Sequence, residues 1–236
     1  MAVRHIAFYS NAMTDLEQHA STRLSAIASR IDRTAKIAGR DPRDITLVAV
    51  SKTYDADAIA PFISAGQRVF GENRVQEAQA KFPALIDLHG PLELHLVGQL
   101  QSNKALDAVA LFDAIHSVDR PSLIEAIARA SDKLGKRPRC FLQVNIGNEP
   151  QKGGCAIDFV TALIETARVA TLDVVGLMAV PPEGTEAAPY FALLAKLARD
   201  HGVECLSMGM TSDFETAIML GATHVRIGSA LFGARA

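Results

Sequence analysis

Short apolar strands alternate with helical stretches along most of this chain, and no other feature constrains its fold more. The residue pattern predicts strands at 46–50, 68–70, 93–97, 113–116, 140–145, 173–178, 204–207 and 224–227. Several are continuous aliphatic or β-branched runs, as expected of strands covered on both faces. Helical spacing fills the gaps at 56–65, 75–81, 103–111, 121–134, 158–170, 187–200 and 214–220, with Pro121 at a first-turn position where its missing N–H does no harm. Regular βα alternation with right-handed crossovers closes into a barrel or stays an open, doubly wound sheet. Eight units in about 200 residues favour the eightfold (β/α) TIM-type barrel. The open sheet is the alternative, but no Gly-x-Gly-x-x-Gly follows the first strand. Ahead of the barrel, Thr14-Asp-Leu-Glu17 is a capping-box sequence that predicts an extra helix over about 14–38, stopped by Gly39 and Pro42. The expectation is one barrel domain over 1–236, with no linker.

Composition excludes several classes. A net charge of -2 gives no basic footprint for nucleic acid. No apolar stretch approaches the ~20 residues that span a bilayer, and 2–9 is too interrupted for a signal peptide. Cys140, Cys155 and Cys205 lack a metal-ligand spacing, and their odd count argues against a disulfide framework. Reduced thiols in a cytoplasmic monomer without metal are expected.

Three features point to one site. Lys52 closes the run Ile45-Thr-Leu-Val-Ala-Val-Ser-Lys-Thr53. An amine at the end of a buried strand is costly to desolvate when charged, which favours the neutral nucleophile a Schiff base requires. The alternative is a strand-end lysine reaching out to solvent. Strands seven and eight then run into Ser207-Met-Gly-Met-Thr211 and Gly228-Ser229, two Gly/Ser/Thr turns. In such turns backbone N–H groups and hydroxyls can cradle a phosphate, with Gly209 and Gly228 allowing close approach and Ser207, Thr211 and Ser229 donating. Each turn alone reads equally as a helix cap. In a barrel, both lie where phosphate commonly binds, next to strand one. A lysine aimed at an aldehyde beside a phosphate cradle describes a pyridoxal 5'-phosphate (PLP) site.

Other polar residues fall at the same rim. Arg226 interrupts an apolar strand two residues before Gly228, so it meets either a buried carboxylate or the pyridine nitrogen of the ligand. Asn73 reads as a ring contact or an N-cap. Met178, which ends strand six, reads by residue type as rim packing and is carried with Asn73 among the cofactor-binding candidates. Glu72, Arg74 and Glu77 read as a surface ion-pair set, His95 as a hydrogen-bonded core histidine, and 116–120 mainly as a capping turn. The Gly- and Asn-rich loop 147–154 reads as a mobile flap carrying a solvated Lys152.

The segments Val50-Ser-Lys-Thr53, Phe70-Gly-Glu-Asn-Arg-Val-Gln-Glu77, Gly98-Gln-Leu-Gln-Ser-Asn-Lys104, Val144-Asn-Ile146, Gly176-Leu-Met178, Ser207-Met-Gly-Met210 and Val225-Arg-Ile-Gly-Ser-Ala-Leu-Phe-Gly233 resemble the pyridoxal phosphate homeostasis protein family, in order and over nearly the whole chain. That family is similar to the N-terminal barrel of alanine racemase. The resemblance implies a covalent aldimine on Lys52, Arg226 at the pyridine nitrogen, and Ser207, Thr211, Gly228 and Ser229 around the phosphate. Thr211 stands where the family usually has serine, and keeps the hydroxyl. It also implies control of PLP supply, with PLP-dependent apoenzymes as partners, rather than a known reaction.

Three functions remain open on the residues: a PLP carrier or buffer, an amino acid racemase, and a lysine-dependent aldolase. Arg226 disfavours transamination and decarboxylation, because an arginine does not give up its proton and leaves the ring a poor electron sink; racemisation could survive that. Racemisation needs an acid/base on each face. Of the tyrosines, Tyr9 and Tyr190 fall away from the expected mouth and Tyr54 lies nearest to it, and the chain ends just after the barrel. The aldolase reading leaves Arg226 without a role.

Overall fold

A computed structural model describes residues 2–233 of the chain, with side chains from Asp15 onward. Eight parallel strands close a barrel in sequence order: β1 Thr46–Val50, β2 Val69–Glu72, β3 Glu93–Leu96, β4 Ala114–Val118, β5 Arg139–Gln143, β6 Val174–Met178, β7 Cys205–Ser207 and β8 His224–Ile227. Each expected strand is present, its ends shifted by at most two residues. The eightfold barrel is therefore the fold, and the open sheet is excluded by the β1–β8 pairing, which aligns Val48 with Arg226 and Ala49 with Ile227.

The helices are α1 Ala2–Ile37, α2 Ala56–Ser64, α3 Val75–His89, α4 Ala105–Leu111, α5 Pro121–Leu134, α6 Val160–Val169, α7 Ala188–His201, α8 Phe214–Met219 and α9 Ser229–Phe232. Three differ from the pattern-based expectation, the short α9 being one that the pattern does not include. Helix α1 continues back to Ala2, so Thr14 lies inside it and does not cap it. Helix α3 runs through Pro83 to His89, because Phe82 and Leu85 are buried and tertiary packing outweighs the lost backbone bond. Ala20, Ile27, Ile31 and Ala35 form the buried stripe of α1, which lies on α2, α8 and α9. Arg40 fastens its end by donating to the carbonyls of Ile218 and Ala222 at 2.9 and 2.8 Å.

Alternation along the strands separates two environments. Leu94, Leu96, Ile115, Leu142, Leu177, Leu206, Val225 and Ile227 join the apolar core between sheet and helices. Facing the other way, the rings of His95, His116, Phe141 and His224 meet across β3, β4, β5 and β8, with centroids 4.2–5.9 Å apart, and fill the barrel. Barrel interiors are usually dominated by branched aliphatics, so this polar filling is a departure. Among the described residues no helix is long and apolar enough to cross a membrane, and no group of His, Cys, Asp and Glu is placed to hold a metal. Cys140 and Cys155 are buried thiols whose pKa burial pushes up to about 12.

Candidate functional site

At the C-terminal ends of the strands lies an open cavity of about 730 Å³. The turns after β1 and β8 emerge side by side, because those strands pair in register. Lys52, Asn73, Thr211, Arg226, Gly228 and Ser229 all line the cavity. Ser229 Oγ donates to Thr211 Oγ1 at 3.3 Å, bringing the hydroxyls of two separate turns together. Asn73 is not the cap of α3, a position held by Arg74. Three expected site residues are absent from the lining. Met178 is buried beneath the rim, opposite Ser207 in the ladder. Ser207 lies within the barrel, its hydroxyl taken by protein partners.

Gly209 is also missing from the lining. It has φ +90, and an added Cβ would lie 2.5 Å from Ala217 Cβ, so its glycine serves the packing of α8. Gly228 is the contrast. Its φ of -116 suits any residue, and a Cβ would meet Val50 only at ordinary contact distance. Packing among the described residues does not demand glycine there.

Behind Lys52 is a buried ionic cluster. The Lys81 ammonium donates to the carbonyls of Ser51 and Tyr54 at 2.9 and 2.8 Å and pairs with Glu72 Oε1 at 2.7 Å. Ser51 Oγ donates to the same Glu72 oxygen at 2.6 Å. One cation thus grips the chain on both sides of Lys52 and Thr53. Glu72 corrects the expectation of a surface set: it is fully buried, while Arg74 and Glu77 form the exposed pair at 3.5 Å. Burial raises the Glu72 carboxyl above its ordinary pKa, against the opposing pull of Lys81 and Ser51. Thr53 holds a left-handed backbone at φ +69, where a β-branched residue is strained.

Arg226 has a different support. Nη1 donates to Ser207 Oγ at 2.6 Å and Nη2 to the Ala179 carbonyl at 2.9 Å. Among the described residues no carboxylate pairs with it; burial pushes its pKa down to about 10, with Asp213 opposing, so it is cationic at neutral pH. From Ser207 the polar contacts run inward: to His116 Nδ1 at 2.7 Å, from His116 Nε2 to His95 Nδ1 at 3.0 Å, and from His95 Nε2 to Glu93 Oε1 at 2.7 Å. His95 is the hydrogen-bonded interior histidine its strand position implies. His116 corrects the reading of 116–120 as a turn, because it sits inside β4 and is fully buried. The signal for this chain is polar residues at alternate positions: Glu93 and His95 in β3, His224 and Arg226 in β8.

The remaining rim groups are engaged elsewhere. Tyr54 lines the cavity but stacks on Phe232 and donates its hydroxyl to the Gly233 carbonyl at 3.0 Å. Tyr190 packs against the core, and the side chain of Tyr9 lies outside the described residues. Lys152 pairs with Glu149 at 2.6 Å and donates to the Pro181 carbonyl, beside a neighbouring cavity of about 660 Å³. Loop 147–154 is not a free flap. Asn145 ties it through the Glu149 N–H and carbonyl, and Gln143 and Asp119 hold its far end at Gly153 and Gly154.

Comparison with known proteins agrees with this architecture. The family model for the alanine racemase N-terminal domain matches residues 22–236. The pyridoxal phosphate homeostasis protein of Pseudomonas aeruginosa is 42% identical over 218 residues, covering 90% of this chain and 94% of that protein. That of Escherichia coli K12 is 38% identical over 230 residues, covering 90% and 95%. PipY of Synechococcus elongatus, solved with PLP bound, is 41% identical, covers 86% of this chain and all of its own, and superposes with a TM-score of 0.74. An alanine racemase of Clostridium difficile, at 16% identity and a TM-score of 0.66, shares the fold. The chain belongs to the pyridoxal phosphate homeostasis protein family, within the alanine racemase N-terminal domain fold.

Proposed function

We propose that this protein binds PLP at the barrel mouth and serves the homeostasis of that cofactor, holding and releasing it rather than turning over a substrate. The observation that carries the reading is convergence on one cavity of an amine, Lys52, a hydroxyl and glycine cradle, Thr211, Gly228 and Ser229, and a guanidinium, Arg226. In this reading the neutral Lys52 amine condenses with the aldehyde to give a Schiff base, releasing water, and water reverses the bond. The cradle takes the phosphate, Asn73 contacts the ring, and Arg226 faces the pyridine nitrogen. Arg226 donates a hydrogen bond without surrendering its proton, so the ring stays a weak electron sink and transamination and decarboxylation lack their main driving force. The nearby tyrosine hydroxyl of Tyr54 is already donated to Gly233. PLP-dependent apoenzymes are the proposed recipients, served by a monomeric cytoplasmic barrel.

The test is the visible spectrum of the purified protein before and after borohydride. Yellow protein, with the pyridoxyl group fixed on Lys52, is expected. Peptide mapping that found it only on Lys152 would overturn the assignment. Activation of an apoenzyme by the loaded protein, faster than by an equal amount of free PLP, is expected of a carrier. Robust racemisation of alanine or serine, lost in Lys52→Ala, would defeat the carrier reading.

A further inference from the structure

The contacts that begin at Arg226 cross the barrel and end on a carboxylate, and their chemistry leaves little freedom. At one end, a guanidinium has only donors, so Ser207 Oγ must accept from Arg226 Nη1. At the other end, an ionised carboxylate has only acceptors, so His95 Nε2 must carry the hydrogen shared with Glu93. Glu93 is ionised: its hydrogen bond with His95, assisted by Arg139, holds its pKa near 2 against the effect of burial.

His116 lies deep in the same environment. The Glu93 oxygen that faces His95 also pairs with Arg139, so its charge is already matched. Burial, then the neighbouring histidines and arginines, drives the His116 pKa well below its ordinary value. A single direction through these contacts gives each imidazole one N–H. His95 uses its hydrogen at Nε2, so its Nδ1 accepts from His116 Nε2. His116 Nδ1 then accepts, and the single hydroxyl hydrogen of Ser207 points to it. Every bond runs in one direction, from Arg226 through Ser207, His116 and His95 to Glu93.

We infer that Ser207, His116 and His95 form a one-directional hydrogen-bond relay whose role is to position Arg226, locking its guanidinium at the cavity by a chain anchored on Glu93. These are positioning residues: Ser207 acts on the ligand only through Arg226, and the two histidines only through Ser207. The relay stands on the contacts alone, and its consequence for PLP rests on the proposed function. It also gives the polar barrel filling a purpose that packing alone does not.

Two measurements test it. In ligand-free protein with ¹⁵N-labelled histidine, a two-bond correlation spectrum at neutral pH should show His95 and His116 protonated at Nε2 and bare at Nδ1. A hydrogen on His116 Nδ1, or on both nitrogens of His95, would overturn the relay whatever the protein binds. In Ser207→Ala, the Arg226 Nη resonances, separate in the wild type, should merge as the guanidinium turns freely. PLP retention should fall about tenfold, the loss expected from one hydrogen bond to a charged group, and Ser207→Thr should restore part of it. A folded Ser207→Ala protein with unchanged Arg226 signals and unchanged PLP retention would refute the positioning role. If the wild type takes up no PLP, the cofactor reading fails, and the relay is decided by the tautomers and the Arg226 resonances.

Discussion

Lys52 and Arg226, which line one mouth from the neighbouring strands β1 and β8, stand on buried polar networks of opposite kinds. The one behind Lys52 is ionic and short in sequence: Lys81 and Glu72 reach Ser51 and Tyr54 across 21 to 30 residues, within one β1–β2–α3 unit. The one behind Arg226 is a string of hydrogen-bonded side chains that ends on Glu93, and His116 meets Ser207 across 91 residues. A buried ion pair is held by mutual attraction, and removing one partner leaves an uncompensated charge. In a hydrogen-bonded relay each member is needed for direction, and a break strands one donor or acceptor at a time. The turn that carries Lys52 thus sits on an ionic clamp, and Arg226 on a chain of hydrogen bonds.

The largest expected effect is on the ionic side. Lys81→Met should lower stability by about 3–5 kcal/mol, the range for orphaning a buried charge, here Glu72. Urea unfolding measures it. Adding Glu72→Leu should recover part of that loss by removing the orphaned carboxylate. The double variant still leaves the Ser51 and Tyr54 carbonyls without Lys81, so the Lys52 turn should stay loose and borohydride trapping of PLP should stay poor. Full recovery of trapping in the double variant would show that Lys81 serves the charge balance alone and does not hold the turn.

Acid should separate the networks next. His224 is pushed down to about 3, first by burial and then by His95 and Arg139, and His116 also lies well below its ordinary value. Between the ordinary histidine pKa of 6.5 and those depressed values, the unfolded chain binds protons that the fold refuses, so stability falls as pH falls. Glu93 acts in the same direction lower down, its contribution present above 4.5 and lost as pH drops towards 2. Glu72 has the opposite sign, because the fold retains its proton above the ordinary carboxyl value and its share of stability fades as pH rises through that window. The melting temperature should therefore drop between pH 7 and pH 4. His224→Gln should flatten the drop by about 1.4 kcal/mol per pH unit, one proton's worth. An identical acid loss in the variant would mean that His224 protonates in the fold.

The contrast also explains what was legible in the sequence. Strand positions, helix positions and the Lys52, Thr211, Arg226, Gly228 and Ser229 set could be read because each rests on local pattern: period two or 3.6, turn residues after a strand, a charge inside an apolar run. Glu72 was misread because it lies in a polar-looking segment with Arg74 and Glu77, and only closure of the barrel puts it inside. Ser207 looked like a cradle hydroxyl since it ends β7 beside Gly209, yet Arg226 and His116 reach it from other strands first. Strand alternation could have placed His95, His224 and Arg226 on the interior face. It could not have revealed that His116 links β3 to β7, because that contact exists only in the closed barrel.

The smallest expected effect concerns the one strained residue in the Lys52 clamp. Thr53 keeps φ +69 while its N–H points to Glu77 Oε2 at 3.4 Å and Lys81 holds the carbonyls on either side. Thr53→Gly removes the steric penalty of that conformation, of order 1–3 kcal/mol, but gives the unfolded chain more freedom, which offsets about 0.4–1 kcal/mol of the gain. A net change within about 1 kcal/mol, on the stabilising side, is expected in urea unfolding. The same change should loosen the turn around Lys52, because glycine tolerates many conformations where threonine holds one, so PLP should exchange faster even though the fold is no weaker. A protein more stable yet quicker to release its ligand would show that the strain is retained to hold Lys52 in place. Slower release together with higher stability would show instead that Lys81 alone fixes the turn and that the strain at Thr53 has no part in presenting the amine.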